Sequence, residues 1–169
     1  MKLIIIGVVA SGKTTLSKHL LEELSIPHYE LDMIAHPVSD GKRLSRSYED
    51  QVQVLREMSC KEKWLFEGTD RPSCSVLLEK ADYIIFLDPP LRIRKFRIFK
   101  RFIRQKVGLE KCHYKSNIKM LKCMYRWTKD FEKRRDVLEE DLSEYSHLIY
   151  AKEKTTKQNM KLILEGIRS

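Results

Sequence analysis

The stretch that decides the fold is Gly7 to Thr14, which reads G-V-V-A-S-G-K-T. It directly follows the apolar run Leu3 to Ile6 and opens a helix-like stretch, Thr14 to Leu24. The order of strand, glycine loop and helix separates a phosphate-binding loop from a chance match to its spacing. The sequence therefore predicts nucleotide binding near the start of the chain.

Each constrained position of this loop has a physical role. Gly7 allows the sharp turn away from the strand, and Gly12, which has no Cβ, lets the backbone come close to a phosphate. Lys13 supplies a point charge for the β- and γ-phosphates, while the Thr14 hydroxyl is placed to ligate the Mg²⁺ that bridges them. The expected cofactors are ATP and Mg²⁺. The residues expected to hold them are Gly7, Ala10, Ser11, Gly12, Lys13, Thr14 and Thr15.

Length and cysteine usage limit the class of protein. A chain of 169 residues fits a single domain. No apolar run approaches the roughly 18 residues of a membrane span. The four cysteines have neither a C-x-x-C pair nor a matching histidine spacing, and such scattered thiols suit the cytosol. We expect a soluble, cytoplasmic monomer or homodimer without a membrane partner.

Positive charge is concentrated in one part of the chain. The formal net charge is +9, and Pro90 to Arg135 holds 17 lysines and arginines against three acidic residues. A stretch of that density can be a solvated helical face, a nucleic-acid surface or a clamp for phosphates.

Strand and helix patterns alternate along the rest of the chain. Further strands are predicted at Pro27 to Asp32, Trp64 to Glu67, Tyr83 to Leu87 and His147 to Ala151. Helices are predicted at Leu44 to Met58, Leu91 to Gln105, Ser116 to Leu142 and Thr155 to Ile167, and Asp40 to Arg46 is a polar loop candidate. The pattern predicts a three-layer α/β sandwich with a five-stranded parallel sheet, the P-loop NTPase architecture. The carboxyl ends of its strands, which carry the loop, Asp32, Glu67 and Asp88, should meet at one edge.

Apolar and basic side chains are interleaved in the helix Leu91 to Gln105. Its apolar residues, expected to face inward, are Ile93, Phe96, Phe99, Phe102 and Ile103. Its arginines, expected to share a broad face, are Arg94, Arg97, Arg101 and Arg104. Aromatic residues among arginines can bind single-stranded nucleic acid, but an inward direction of the rings favours core packing. Trp64 and Trp127 are expected to be core or helix-packing residues rather than platforms for base stacking.

These motifs together resemble the DNA topology modulation protein family, which belongs to the adenylate-kinase-like branch of P-loop kinases. The matching stretches are the loop, Tyr29-Glu30-Leu31-Asp32, Trp64-Leu65-Phe66-Glu67-Gly68, Phe86-Leu87-Asp88-Pro89 and the arginine-rich helix. The chain departs from the family pattern within the loop at Val8 to Ala10, and again at Glu67 to Asp70, where the family tends to have Asp-Gly-Asn-Tyr. The resemblance implies one kinase-like domain with a lid region, about 91–142, inserted in it.

The resemblance also implies roles for two acidic residues. Glu67 matches a carboxylate that acts through the Mg²⁺ shell or on the acceptor hydroxyl, with an exposed strand-end acid as the structural alternative. Asp32 matches an acceptor-binding acid or general base, with a helix cap or turn as its alternative. For Asp88, a role in the site and a structural role at the end of a strand are equally favoured. His36 is expected to be a surface turn residue.

Basic residues complete the expected site. Arg71 stands where nucleotide kinases keep an arginine for the acceptor phosphate, to which guanidinium fits bidentately. Arg97 and Arg101 are expected to reach the phosphates when the loop Gln105 to Lys115 closes as a lid, with solvated arginines as the alternative. The adenine is expected near Lys152 to Thr156.

The sequence thus predicts an ATP- and Mg²⁺-dependent phosphotransferase for a nucleoside, a nucleotide or a similar small acceptor. Its predicted catalytic residues are Lys13, Asp32, Glu67, Arg97 and Arg101. Two alternatives stay open. One is an ATP-binding regulatory protein that contacts nucleic acid through the basic lid region, and the other is a simple NTPase.

Overall fold

The computed structural model describes residues 1–40, 42–109, 117–151, 161 and 163–167. The strands are β1 (Lys2–Gly7), β2 (His28–Glu30), β3 (Val38–Ser39), β4 (Lys42–Arg43), β5 (Trp64–Gly68), β6 (Tyr83–Leu87) and β7 (Leu148–Ala151). The helices are α1 (Lys13–Leu24), α2 (Leu31–Ala35), α3 (Tyr48–Ser59), α4 (Ser75–Leu78), α5 (Leu91–Lys106) and α6 (Ile118–Ser143). A short 3₁₀ turn covers Pro72–Cys74, and residues 161 and 163–167 are helical.

A five-stranded parallel sheet in the order β2-β5-β1-β6-β7 forms the centre of the fold. Apolar side chains from both faces of β1 are fully buried, in two separate core clusters. Ile4 and Ile6 belong to one cluster, Leu3 and Ile5 to the other. Burial on both faces explains why the strands read as continuous apolar runs. The predicted three-layer α/β architecture is confirmed.

The structure corrects the sequence analysis between β2 and α3. Asp32 does not end a strand, because β2 stops at Glu30 and Asp32 lies in the first turn of α2. The polar stretch after α2 contains a two-stranded hairpin, β3 with β4. Leu44 precedes α3, so this helix begins four residues later than predicted, and both Leu44 and Tyr48 are exposed.

The larger correction concerns the faces of α5. Phe96, Phe99 and Ile103 are exposed, whereas Arg94 is almost completely buried. Trp64 is in the core as predicted, but Trp127 on α6 is half exposed. The prediction that the aromatic rings of α5 all face inward is therefore wrong.

Several sequence predictions lie outside the described residues. They concern the part of the lid loop beyond residue 109, the adenine segment Lys152 to Thr156, and the first turns of the last predicted helix. Within the described ranges, none of the helices combines the length and apolar character needed to cross a membrane.

The thiols of Cys60 and Cys74 should differ sharply in reactivity. Cys60 is exposed, while burial raises the pKa of the Cys74 thiol to about 12. At pH 8 only about one Cys74 thiol in 10⁴ would be ionised, and the thiolate is the reactive form. Iodoacetamide should therefore modify Cys60 at least ~100-fold faster than Cys74 in the native protein. Peptide mapping after timed quenching measures both rates, and equal rates would contradict the buried placement of Cys74.

Candidate active site

The loop between β1 and α1 has the backbone geometry of an anion cradle. A Cβ on Gly7 would lie 2.6 Å from the Ser11 Oγ and 2.7 Å from the Leu87 carbonyl oxygen, so no side chain fits there. Gly12 has φ 107°, a left-handed conformation that favours glycine. Gly12 also caps α1 without a side-chain hydrogen bond, and the first turn has no acidic residue. The first amides of α1 are therefore available to an anion, as phosphate binding requires.

Lys13 lies folded against its own loop. Its Nζ donates to the carbonyl oxygens of Gly7 at 2.9 Å and Val8 at 3.1 Å. Burial lowers the pKa of Lys13, while the charges of Glu67 and Asp32 act in the opposite direction. A partly desolvated ammonium whose hydrogen bonds to the described residues go to neutral carbonyls is ready to interact with an incoming phosphate.

Glu67 is a buried carboxylate beside this loop. It lies on β5, next to Ile5 of the central strand, and its residue is only 3% exposed. Neither carboxylate oxygen makes a hydrogen bond of good geometry with the described residues. Burial raises the pKa of Glu67, and the nearby Lys13 ammonium and Thr14 hydroxyl offset part of that shift. Such an unsatisfied buried acid calls for a positively charged partner.

A Mg²⁺ ion fits this donor set. The Glu67 oxygens and the Thr14 hydroxyl are the hard oxygen ligands that Mg²⁺ prefers, directly or through water. In the described part of the chain, no cluster of three or more His, Cys, Asp or Glu side chains could hold a metal ion. A phosphate-bound Mg²⁺ needs no such cluster, because it usually keeps waters and takes one or two carboxylates plus phosphate oxygens.

The structure brings two more predicted residues together opposite the loop. Asp32 and Arg71 form an ion pair through one carboxylate oxygen and one guanidinium nitrogen. Gly68 makes this approach feasible, because a Cβ there would come within 2.6 Å of the Leu31 Cβ. The close packing of α2 against β5 thus positions Asp32, although the residue is helical rather than at a strand end.

The arginines of α5 separate into different environments. Arg97 donates to the loop carbonyls of Ser11 at 2.8 Å and Ala10 at 3.3 Å. Arg101 lies close enough to Lys13 for its charge to lower the pKa of that lysine. Arg97 therefore contacts the loop, and Arg101 lies within electrostatic range of it.

Arg94 has a structural role instead. Its Nε donates to the Pro89 carbonyl at 2.9 Å, and its guanidinium pairs with Glu132 of α6. The Phe131 ring lies 5.2 Å from the guanidinium carbon, a cation–π contact. Arg94 thereby joins α5 to α6.

Asp88 likewise binds other parts of the fold together. It is buried, and one of its oxygens accepts from Arg135 Nε at 2.6 Å and from the Tyr150 hydroxyl at 3.0 Å. The Tyr150 hydroxyl also lies 3.0 Å from a carboxylate oxygen of Glu139. This network connects β6, α6 and β7, which favours the structural interpretation of Asp88.

His28 also lies at the site, although it was not predicted from the sequence. Its Nε2 lies 3.4 Å from Glu67 Oε1, and its positive form would stabilise that carboxylate. The position follows from sheet register, since Glu30 pairs with Glu67 and His28 points to the same face two residues earlier. The alternation was visible in the sequence, but the pairing of β2 with the strand that carries Glu67 was not.

Solved kinases match the fold along nearly the whole chain. A shikimate kinase from Bacteroides thetaiotaomicron superposes with a TM-score of 0.62 at 14% identity, with coverage of 100% of this chain and 99% of its own. The chain has the fold of the P-loop kinases. A gluconokinase from Sinorhizobium meliloti gives a TM-score of 0.58 at 15% identity, with coverage of 99% and 91%. A shikimate kinase from Aquifex aeolicus gives 0.53 at 19% identity, with coverage of 99% and 96%.

No family model and no curated protein sequence matches the chain. At the identities of the solved structures, the likeness defines the fold alone.

Replacing Arg101 with alanine should lower kcat more than it lowers nucleotide affinity. A guanidinium beside the phosphate loop stabilises charge that develops on the transferred group, and loss of such a donor typically costs ~10²–10³-fold in rate. We expect kcat to fall by about 100-fold and the ATP Kd to change by less than about threefold. Steady-state kinetics measure kcat, and calorimetric titration with a non-hydrolysable ATP analogue measures the Kd. Lys100→Ala, at the exposed neighbouring position, is the matched control, and an unchanged kcat would remove Arg101 from the mechanism.

Proposed function

We propose that the chain is an ATP- and Mg²⁺-dependent phosphotransferase that acts on a small-molecule acceptor. The observation that carries the proposal is the unsatisfied, buried Glu67 carboxylate next to Lys13 and Thr14 at the mouth of the loop. A cation site beside an anion cradle is what a bound nucleotide–Mg²⁺ complex requires. Mg²⁺ would neutralise charge on the phosphates when bound.

The remaining roles in the proposed reaction belong to residues of the chain. The loop amides and Lys13 hold the β- and γ-phosphates, and Arg101 offsets charge on the group in transfer. Arg97 braces the loop through the Ser11 carbonyl. Asp32 accepts the proton of the acceptor hydroxyl. The oxygen of that hydroxyl bonds to the γ-phosphorus, while the bond from that phosphorus to the β-phosphate oxygen breaks. ADP and a phosphorylated acceptor result.

The Asp32–Arg71 pair supports an acceptor with two chemical features. Asp32 suits a hydroxyl group, and the Arg71 guanidinium suits a carboxylate or phosphate. The solved kinases of the same fold are named for shikimate, gluconate and sugars. We therefore propose a hydroxyl-bearing, anionic acceptor, a class that includes both hydroxy acids and nucleotides.

The lid remains part of this proposal. Region 91–142 would act as a lid within a single domain, supported by the contacts of Arg97 with the loop. Membership of the DNA topology modulation protein family is also a proposal, supported by the order of motifs along the chain.

A panel of acceptors tests the proposal directly. Hydroxy acids, sugars, nucleosides and nucleotides are incubated with ATP and Mg²⁺, and phosphorylated products are identified by mass spectrometry. We expect one class to be phosphorylated, and Asp32→Asn to lower its kcat by about 10²–10⁴-fold, the usual contribution of a general base. Asp40→Asn is the matched control, because Asp40 is an exposed turn residue with φ 51° that asparagine tolerates. ADP formation that no acceptor stimulates would favour the NTPase alternative, and nucleotide binding without turnover the regulatory one.

A further inference from the structure

The outer face of α5 carries an exposed apolar stripe. Phe96 and Phe99 are 65% and 51% exposed, and Ile103 is 44% exposed. Just beyond the end of the helix, Val107 and Leu109 are 61% and 71% exposed. At about 100° per residue, Phe96, Phe99 and Ile103 fall within one narrow sector of the helix. Exposed apolar side chains that are contiguous, rather than scattered, mark an interaction surface.

Basic side chains border this stripe on both sides. In the same helical projection, Lys95 and Lys106 lie along one border and Lys100 along the other. Residues 91–109 contain eight lysines and arginines and no acidic residue. Long basic side chains can reach past an apolar stripe while their stems pack beside it. The surface thus combines apolar contact with the positive charges of Lys95, Lys100 and Lys106.

This face points away from the candidate active site. Arg97, on the opposite side of the helix, contacts the phosphate loop, and Ile98 is buried against the protein. An occupant of the outer face would not obstruct the nucleotide. The surface is therefore independent of the proposed phosphotransfer.

We propose that the outer face of α5 docks the protein on an anionic lipid surface. A convex helix whose apolar stripe is bordered by lysines is the geometry of an interfacial helix, which inserts apolar side chains shallowly while its cations meet acidic headgroups. The expectation of no membrane partner rested on the lack of a spanning segment, which a surface contact does not need.

Other occupants fit the surface less well. A second copy of the chain would bring two sets of bordering lysines together, which like-charge repulsion opposes. Single-stranded nucleic acid stacks its bases on aromatic rings within a positively charged groove. Here the helix is convex, and Ile103, Val107 and Leu109 offer no ring for stacking.

Co-sedimentation with vesicles tests the docking. Wild-type protein is mixed at ~0.15 M salt with vesicles of phosphatidylglycerol and phosphatidylcholine, or of phosphatidylcholine alone. We expect binding to the anionic vesicles at least ~10-fold tighter than to the neutral ones, since both charge and apolar insertion contribute. The double variant Phe96→Ser, Phe99→Ser should lose at least ~10-fold of that affinity and keep its phosphotransfer rate.

Val137→Ser is the matched control, because Val137 is an equally exposed apolar residue on α6, outside the stripe. It should bind anionic vesicles like the wild type. Absence of binding to anionic vesicles, or equal binding by the double variant, would overturn the proposal. An oligothymidine that binds more tightly than the vesicles and depends on the same two phenylalanines would also overturn it, and would assign the surface to nucleic acid.

Discussion

Replacing Lys13 with alanine should reduce γ-phosphate transfer by at least about 10³-fold, because the only mobile charge of the loop would be lost from the transferred group. The ammonium now lies on the Gly7 and Val8 carbonyls, within reach of a phosphate seated in the loop. Burial lowers the pKa of Lys13, so the folded state bears a cost for this charge. Removal of Lys13 relieves this cost but also removes the charge that offsets the burial of Glu67, so we expect little net change in stability. Initial rates with the best acceptor and a thermal melt measure both effects.

Lys18→Ala is the control for this substitution. Lys18 lies on the same helix and is exposed, so its loss should change neither rate nor stability measurably. A Lys13→Ala protein that keeps more than about a tenth of the wild-type rate would contradict the assigned role of the loop lysine.

Replacing Glu67 with glutamine should separate activity from stability. The amide keeps the shape of the side chain but removes the charge expected to act on Mg²⁺, so kcat should fall by about 10²–10³-fold. Burial raises the pKa of Glu67 even though Lys13 lies nearby, which means that the charged carboxylate costs folding free energy. The variant should melt at a higher temperature, by about 2–4 °C if that cost is about 1 kcal/mol.

The gain in melting temperature of the Glu67→Gln variant should decrease as the pH falls. At pH values well above the raised pKa of Glu67, the wild-type carboxylate is charged and its cost is fully expressed. As pH falls through the raised pKa, the carboxylate takes up a proton and the difference from glutamine should shrink. Glu62→Gln, at an exposed position just before β5, is the control and should show neither effect. A Glu67→Gln protein with wild-type activity would exclude this carboxylate from the metal site.

The parts of the fold that the sequence predicted are those with local causes. The loop is recognisable because its glycines and lysine lie close together in the sequence. A Cβ would clash at Gly7, and Gly12 has a positive φ that favours glycine. The central strands are recognisable because burial on both faces requires continuous apolar residues. Glu67 was predicted at the end of such a strand because it follows three apolar residues, and it lies on β5 one residue before the strand ends.

The faces of α5 were not predictable in the same way. Hydrophobic periodicity assumes that arginine faces solvent and phenylalanine faces the core. Arg94 is buried because Glu132 and Phe131, nearly 40 residues later, and the Pro89 carbonyl compensate its charge. Such compensation depends on tertiary contacts that a helical pattern does not contain.

Asp32 illustrates a second limit. The strand that precedes it is only three residues long, and α2 begins directly after it. The side chain still meets Arg71, because Gly68 allows α2 to pack closely on β5. The ion pair of Asp32 with Arg71 thus depends on Gly68. Its contact partner, Leu31, could not be identified from the spacing of residues in the sequence.

The most direct test of the central claim is the fate of the ATP γ-phosphate in a single turnover. Enzyme in excess over γ-labelled ATP is mixed with Mg²⁺ and the best acceptor of the panel, and the label is followed in acceptor, inorganic phosphate and residual ATP. The account predicts that the label moves to the acceptor in wild-type protein and remains in ATP in Lys13→Ala. Label that appears only as inorganic phosphate, or that never leaves ATP with any acceptor, would contradict it.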